Sequence, residues 1–299
     1  MSIRFDNRVA IVTGAGAGLG RCHALLLGAR GAKVVVNDPG GAVDGRGGAH
    51  AAADKVVAEI VAAGGQAVAS YDSVADEDAA GRIVAKATDT WGRLDILVNN
   101  AGILRDKAFN NMPMDDFRAV VDVHLMGTVY CTRAAWPVMR AAKYGRIVVT
   151  TSGSGTVGNF GQSNYGAAKM GVLGLINCLR FEGAKYNILT NAISPSAATR
   201  MTEGLLPPDM IPWMKPELVS PAVAYLASED CQVSGYVIAA TAGGYARVQY
   251  FISEGIQLDP AGAVTPEMVA ERFGEITDLG GATPNTGRMG NVERQLRAI

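Results

Sequence analysis

Histidine and cysteine are both scarce in this chain of 299 residues, which has three of the first and four of the second. Cys22, Cys131, Cys178 and Cys231 stand far apart with no CxxC spacing, so neither a disulfide framework nor a zinc site is indicated. No metal is expected, and a reducing compartment is the expected home. Charge of either sign is also in short supply: Lys+Arg number 27 against Asp+Glu 28, a formal net charge of -1, which offers nothing to nucleic acid or to an anionic membrane. No apolar run reaches the length of a membrane span, and the opening MSIRFDNRVA enters a strand pattern with no charged-then-apolar leader. The last residues, Arg297-Ala298-Ile299, are not a peroxisomal SKL-type address. A cytoplasmic location is expected.

What is present is apolar, 48% of the residues, enough for one large core or two modest ones. Arg8 to Thr13 (RVAIVT) reads as a buried strand, followed by GAGAGLG and an amphipathic segment through Arg30. Gly14, Gly18 and Gly20 fit G-x-x-x-G-x-G. Residues without Cβ let the backbone turn tightly and let a pyrophosphate approach the N–H groups and positive end of the next helix. The second strand, Ala32 to Asn37, ends at Asp38, about twenty residues past the glycines. An acid there accepts hydrogen bonds from adenosine ribose hydroxyls and repels a 2′-phosphate, which favours NAD over NADP. Asp-Pro-Gly is also a good turn starter, and Asp38 has that second reading.

Gly40 to Gly48 (GGAVDGRGG) is a glycine-rich loop, either disordered or covering the adenine end of a cofactor. Ala49 to Ala63 reads as a helix stopped by Gly64-Gly65, and Ala67 to Tyr71 as a strand leading to Asp72-Ser73. Asp76 is placed to cap a helix running to Trp91. Asp95 to Val98 is a further strand, ending in Asn99-Asn100-Ala101-Gly102, where Asn99 either makes a tight strand exit or orders the sheet edge beneath a cofactor. Pro113 to about Ala142 is a long helical region with Asp115 and Asp116 near its positive end. It contains His124, readable as a core residue or as a proton relay.

Gly145 to Ser152 is the fifth strand, Ser163 to Tyr186 a helix, and Ile188 to Ser194 the sixth strand. Pro195 to Lys215, rich in Pro, Met and Thr, suits a substrate lid. Glu217 to Ser228 is a short helix and Gly235 to Ala240 the last strand. Strands and helices alternate without a break, which predicts an α/β fold: a doubly wound parallel seven-stranded sheet with helices on both faces. Residues 1–245 are expected to form that domain. Residues 246–299, with a helical segment around Pro266 to Thr277, form a C-terminal extension expected to pack on the domain or on a partner subunit, or to hang loosely.

The chemistry concentrates in TTSGSGTVGNFGQSNYGAAK, residues 150–169. On a helix Tyr165 and Lys169 lie one turn apart on one face. A phenol titrates near ~10, and a neighbouring ammonium lowers that by roughly 1–3 units, which makes Tyr165 a candidate proton carrier. Ser152 emerges at the carboxyl end of a strand, where open α/β sheets keep their ligands.

With TGAGAGLG, NNAG, the serine, Tyr-x-x-x-Lys and the later strand with Pro195 in that order, residues 6 to 245 resemble the short-chain dehydrogenase/reductase family. The resemblance implies a Rossmann sheet, a nicotinamide cofactor and proton transfer by the tyrosine. By matching position, Gly14, Gly18, Leu19 and Gly20 line the pyrophosphate and Asp38 the ribose. Asp72 and Ser73 flank the adenine, and Asn99, Ala101 and Gly102 border the cofactor. Tyr165 and Lys169 also touch it, with Pro195 beside it and Thr199 on the nicotinamide amide. His124 stands where the family usually has a catalytic asparagine, and Ser196 follows Pro195 where glycine is usual.

Longer stretches, among them NNAGILRD and GNFGQSNY, resemble the (3R)-hydroxyacyl-CoA dehydrogenase part of the multifunctional enzymes of β-oxidation. That likeness implies oxidation of a (3R)-3-hydroxyacyl-CoA thioester to the 3-ketoacyl-CoA with NAD, in fatty-acid or sterol side-chain breakdown. It also implies a free-standing enzyme served by a separate enoyl-CoA hydratase, assembled as a homodimer or homotetramer through the long helices. The rival expectations are a hydroxysteroid or other secondary-alcohol dehydrogenase, and an NAD-binding regulatory protein whose chemistry has lapsed.

Overall fold

Strands that are apolar at successive positions, as VAIVT, VVV, ILV and IVV are here, have no face to offer to water and must be covered on both sides. In the computed structural model, which describes residues 2–48, 50–202 and 207–285, these runs form the middle of one sheet. The elements in order are β1 (Val9–Thr13), α1 (Gly18–Ala29), β2 (Lys33–Asn37), α2 (Ala51–Ala62), β3 (Gln66–Ser70), α3 (Glu77–Trp91) and β4 (Ile96–Asn99). There follow α4 (Met114–Val121), α5 (Gly127–Ala142), β5 (Gly145–Thr150), α6 (Gly153–Thr156), α7 (Ser163–Gly183), β6 (Ile188–Ser196), α8 (Ser220–Ala227), β7 (Val237–Thr241) and β8 (Gly244–Val248).

The strand order is β3-β2-β1-β4-β5-β6-β7-β8, and every pairing from β3 through β7 is parallel. The seven expected parallel strands are therefore all present, in a Rossmann-like α/β fold. The eighth was not expected. Ala242 (φ 49°) and Gly243 (φ 82°) make the two-residue, positive-φ turn that closes a hairpin, so β8 returns antiparallel along β7. Four of its five residues are exposed, which leaves no buried run to read in the sequence.

Val12, Val34, Val36, Ile96 and Val98 meet Ala24, Leu27 and Val223 in one core, so α1 and α8 cover the same face of the sheet. The Asp76 carboxylate caps α3 by accepting from the Ala79 N–H (2.7 Å), and Gly92 ends it in the left-handed region. The long region after Pro113 is not one α-helix: between α4 and α5 lies a π-helical turn, Asp122–Met126, with His124 at its centre. Such turns concentrate at functional sites because the widened coil re-aims a side chain.

The chain divides into two units, Met1–Arg247 and Val248–Ile299. In the second, β9 (Phe251–Ile252) pairs antiparallel with β10 (Thr283–Pro284). The helical segment expected there is two short helices, α9 (Pro266–Glu271), capped by Thr265, and α10 (Phe273–Thr277), separated by Arg272. Residues 286–299 lie outside the described residues, as do 203–206 of the expected lid. No helix among the described residues is long and apolar enough to cross a membrane.

Candidate active site

β1 lies between β2 and β4, so chain order reverses beside it, and ligands of open α/β sheets sit at the carboxyl ends of strands at such a reversal. The glycine turn occupies that position. Gly14 and Gly18 take positive φ (62° and 53°), and a Cβ on Gly20 would meet the Gly14 carbonyl oxygen at 2.2 Å. The turn is held from β4: Asn100 Nδ2 donates to the Thr13 and Gly14 carbonyls (3.0 and 3.1 Å), while Thr13 Oγ1 accepts from the N–H groups of Asn100 and Ala101 (3.0 and 3.1 Å). Asn100 is thus the asparagine that shapes the cleft floor. Asn99, named from the sequence, points the other way and donates to Thr132 Oγ1 on α5 (3.1 Å).

A cleft of about 400 Å³ opens above the turn, bordered by Gly14, Gly18, Leu19, Asp38, Ser73, Ala101, Gly102 and Thr199 of the residues singled out in the sequence. Gly20, Asn99, Pro195, Tyr165 and Lys169 do not border it. Nor does Asp72, whose carboxylate accepts from Arg82 Nε (2.8 Å) on the surface of α3. Asp38 makes the turn read for it: Oδ1 accepts from the Gly40 N–H (2.7 Å) and closes it, while Oδ2 accepts from the Gly16 N–H (2.8 Å) at the glycine loop.

The glycine-rich loop after β2 forms a wall of the cleft. Leu104 N–H donates to the Val43 carbonyl and Arg105 Nε to the Asp44 carbonyl, both at 2.9 Å. Because β1 lies between β2 and β4, a loop leaving β2 and tied to the segment beyond β4 must pass over the exit of β1. It is a strap across the glycine turn.

Tyr165 and Lys169 project from α7, and Ser152 caps α6 just past β5, its Oγ accepting from the Ser154 N–H (3.2 Å). The Ser152 hydroxyl lies close enough to the Tyr165 phenol to favour its ionised form, and Lys169 Nζ stands 5.5 Å from the centroid of the Tyr165 ring. The three residues read from the sequence therefore converge. Their electrostatics differ from expectation. Burial raises the Tyr165 phenol above its ordinary value, the Ser152 hydroxyl opposes that, and Asp106 adds to it. The lysine does not supply the expected lowering: its ammonium is itself buried, is pushed down to about 7 by desolvation, and donates to the Thr150 carbonyl (2.6 Å).

His124 is buried with its ring edge-on to Tyr165, centroids 4.9 Å apart. Nε2 lies 2.7 Å from the Ile103 carbonyl oxygen and 3.0 Å from the Ile103 nitrogen, and Nδ1 is buried with no partner among the described residues. Burial, then the Lys169 charge, holds its pKa well below the usual imidazole range, so the ring is neutral. Gly102 makes this possible, since a Cβ there would meet His124 Cε1 at 2.3 Å. A further residue went unread: Asn164 is fully buried, donates to the Arg105 carbonyl (3.0 Å) and accepts from the Tyr165 N–H (2.7 Å), fixing the start of α7 against the strap's anchor. The Asn-Tyr pair was its only trace in the sequence.

A family model for the short chain dehydrogenases matches residues 8–207. The chain belongs to that family. It is thereby an oxidoreductase, of a family that binds NAD or NADP. Among its relatives is a short-chain type dehydrogenase/reductase of Mycobacterium tuberculosis, 53% identical over 277 residues, 93% of this chain and 96% of that one. Peroxisomal multifunctional enzyme type 2 of Drosophila melanogaster is 50% identical over 279 residues, 93% of this chain but 46% of that protein. The full-length structure of the fly enzyme matches with TM-score 0.82 and 43% identity, over 99% of this chain and 50% of that one. A 7α-hydroxysteroid dehydrogenase solved with NADH and a 7-oxo bile acid matches with TM-score 0.72 and 30% identity, over 81% of this chain and 95% of that one.

Proposed function

We propose that this dehydrogenase uses NAD to oxidise the secondary alcohol of a (3R)-3-hydroxyacyl-CoA thioester to the 3-ketoacyl-CoA. The observation that carries the chemistry is the convergence of Ser152, Tyr165 and Lys169 beyond β5, beside a cleft whose glycine turn has no room for a Cβ at Gly14 or Gly20. The close approach of backbone N–H groups at such a turn suits a pyrophosphate. Asp38 at the cleft supports NAD, because a carboxylate there accepts from ribose hydroxyls and repels a 2′-phosphate. The thioester is favoured by the similarity to the type 2 multifunctional enzyme over 93% of the chain.

In this reading the nicotinamide supplies the hydride acceptor, and its positive charge when oxidised favours the phenolate. Tyr165 takes the proton from the substrate hydroxyl, and Ser152 donates a hydrogen bond to the same oxygen as negative charge builds there. Positioned proton transfer of this kind is worth roughly 10²–10⁴ in rate. Lys169, donating to the Thr150 carbonyl, fixes the end of β5 beneath Tyr165. His124 packs edge-on against the Tyr165 ring. We further propose a homodimer or homotetramer, to be checked by light scattering.

The test is the appearance of NADH when NAD is offered with (3R)-3-hydroxydecanoyl-CoA, in parallel with NADP and with a free hydroxysteroid. The steroid arm is included because the 7α-hydroxysteroid dehydrogenase matches over 81% of this chain. Turnover of the thioester with NAD, abolished in Tyr165→Phe while NADH still binds, is the expected result. Turnover of the steroid alone, or an active Tyr165→Phe, overturns the assignment.

A further inference from the structure

The residue before Ser163, at the N-cap of α7, is Gln162, and its side chain is 7% exposed. An amide reads alike from both ends, so its neighbours decide which end is which. Here they leave one solution. Gln162 Nε2 is 2.6 Å from Asp106 Oδ2, and an ionised carboxylate only accepts, so the nitrogen faces Asp106. The amide oxygen is then left to accept from Ser154 Oγ (2.7 Å) and Asn159 Nδ2 (3.1 Å). Both of its lone pairs are engaged.

That arrangement dictates the direction of the bonds that follow. The Ser154 hydroxyl proton is committed to Gln162, which holds the serine in place. The Ser154 N–H donates to Ser152 Oγ and occupies one of its acceptor positions. The Ser152 hydroxyl proton is thereby left free to point into the site, toward the substrate oxygen that Tyr165 deprotonates. We propose that Gln162 is a positioning residue for the reaction: locked in one orientation by Asp106, it fixes Ser154, and through it the direction in which Ser152 donates. The proposal rests on Tyr165 as the proton acceptor.

Gln162 also joins three pieces of chain that must keep register: the segment after β4 that carries Asp106, the α6 turn that carries Ser152, and the helix that carries Tyr165 and Lys169. The charged or titratable groups around Tyr165 are Lys169 from its own helix, His124 from the π-helical turn and Asp106 from the segment after β4. Of these Asp106 is the one that raises the phenol, and Ser152 opposes it. A neutral amide between the carboxylate and the serine pair lets Asp106 orient the network without bringing its charge closer. A carboxylate in place of that amide would do the reverse.

The experiment follows kcat, KM and their pH profiles with (3R)-3-hydroxydecanoyl-CoA and NAD, beside NADH binding by fluorescence. Gln162→Met, close in size and without hydrogen bonds, is expected to lose between roughly tenfold and 10²-fold in kcat, with KM for NAD and NADH binding unchanged. Ser154→Ala should lose a similar factor, and the double variant should be no worse than either single, because both break one chain of bonds. Gln162→Glu should move the acid limb of kcat/KM upward by roughly one pH unit, and Asp106→Asn, which keeps an acceptor for Gln162, should move it downward by roughly half a unit. A purely structural role would move neither limb.

Wild-type kcat in Gln162→Met, multiplying losses in the double variant, or unmoved limbs overturns the proposal. Should Gln162→Met fail to fold by circular dichroism, Ser154→Ala and Asp106→Asn carry the same test. Tyr165→Phe run alongside separates the two levels. If it turns over, the reading of Tyr165 is wrong; if it is dead while the Gln162 and Ser154 variants behave as wild type, only the role of Gln162 falls.

Discussion

Lys169 places an ammonium where the protein alone gives it little reason to be. It is 3% exposed, it has one hydrogen bond, to the Thr150 carbonyl, and burial pushes it from its ordinary 10.5 to about 7. The cost of that placement follows from linkage: roughly 1.4 kcal/mol for each pH unit between the two values, or about 5 kcal/mol in all. Its sign is set by proton counts. Between about 7 and 10.5 the unfolded chain holds the proton and the fold does not, so stability falls as pH drops through that window and then levels off below about 7.

Lys169→Met removes this term and forfeits the bond to Thr150, worth about 1 kcal/mol. The variant should therefore be more stable than wild type by roughly 3–4 kcal/mol at pH 6, and within about 1 kcal/mol of it at pH 9.5, while losing turnover. Urea unfolding of the cofactor-free protein at both pH values, read as midpoint and slope, measures it. A variant that is no more stable at pH 6, or that gains equally at both, refutes the argument. If it holds, the site stores destabilisation that function requires, the common trade between stability and activity.

What could be read in the sequence was whatever leaves a local mark. β1, β2, β4 and β5 were legible because a strand covered on both faces must be apolar throughout, and Asp76 because a capping carboxylate stands a fixed distance before its helix. Tyr165 and Lys169 were legible because helical spacing alone brings them to one face. The π-helical turn was not, since one widened coil inside a helical pattern breaks no periodicity that a sequence shows. Asn99 and Asn100 changed places for a similar reason. Side chains alternate along a strand, so of two adjacent asparagines one faces Thr132 and the other the glycine turn, and only the phase of β4 decides which. The lysine's state was furthest out of reach, because desolvation is the work of residues from across the fold.

The same structure makes three further predictions. Gly102→Ala drives a Cβ to within 2.3 Å of His124 Cε1, so it should cost roughly 1–3 kcal/mol and most of the activity, and much less stability in a His124→Asn background; equal costs in both backgrounds would show that the two residues do not share that space. Arg105→Ala cuts the strap's side-chain tether to Asp44 and the ion pair to Asp116 (3.2 Å), so NADH should leave several-fold faster in stopped-flow displacement, and an unchanged off-rate would mean that the strap does not gate release. Finally, His23 on α1 is fully buried, its Nδ1 2.8 Å from Ser220 Oγ and its Nε2 without a partner among the described residues, and burial takes it from 6.5 down to about 3. Below pH 6.5 the unfolded chain gains a proton there that the fold refuses, so stability should fall by up to about 1.4 kcal/mol for each pH unit from this group alone. Buried His124 acts in the same direction. His23→Asn, which keeps an acceptor for Ser220, should therefore shallow the acid slope of unfolding free energy measured from pH 6.5 to 4.5 without flattening it. An identical slope in the variant would mean that His23 finds its proton in the folded state after all.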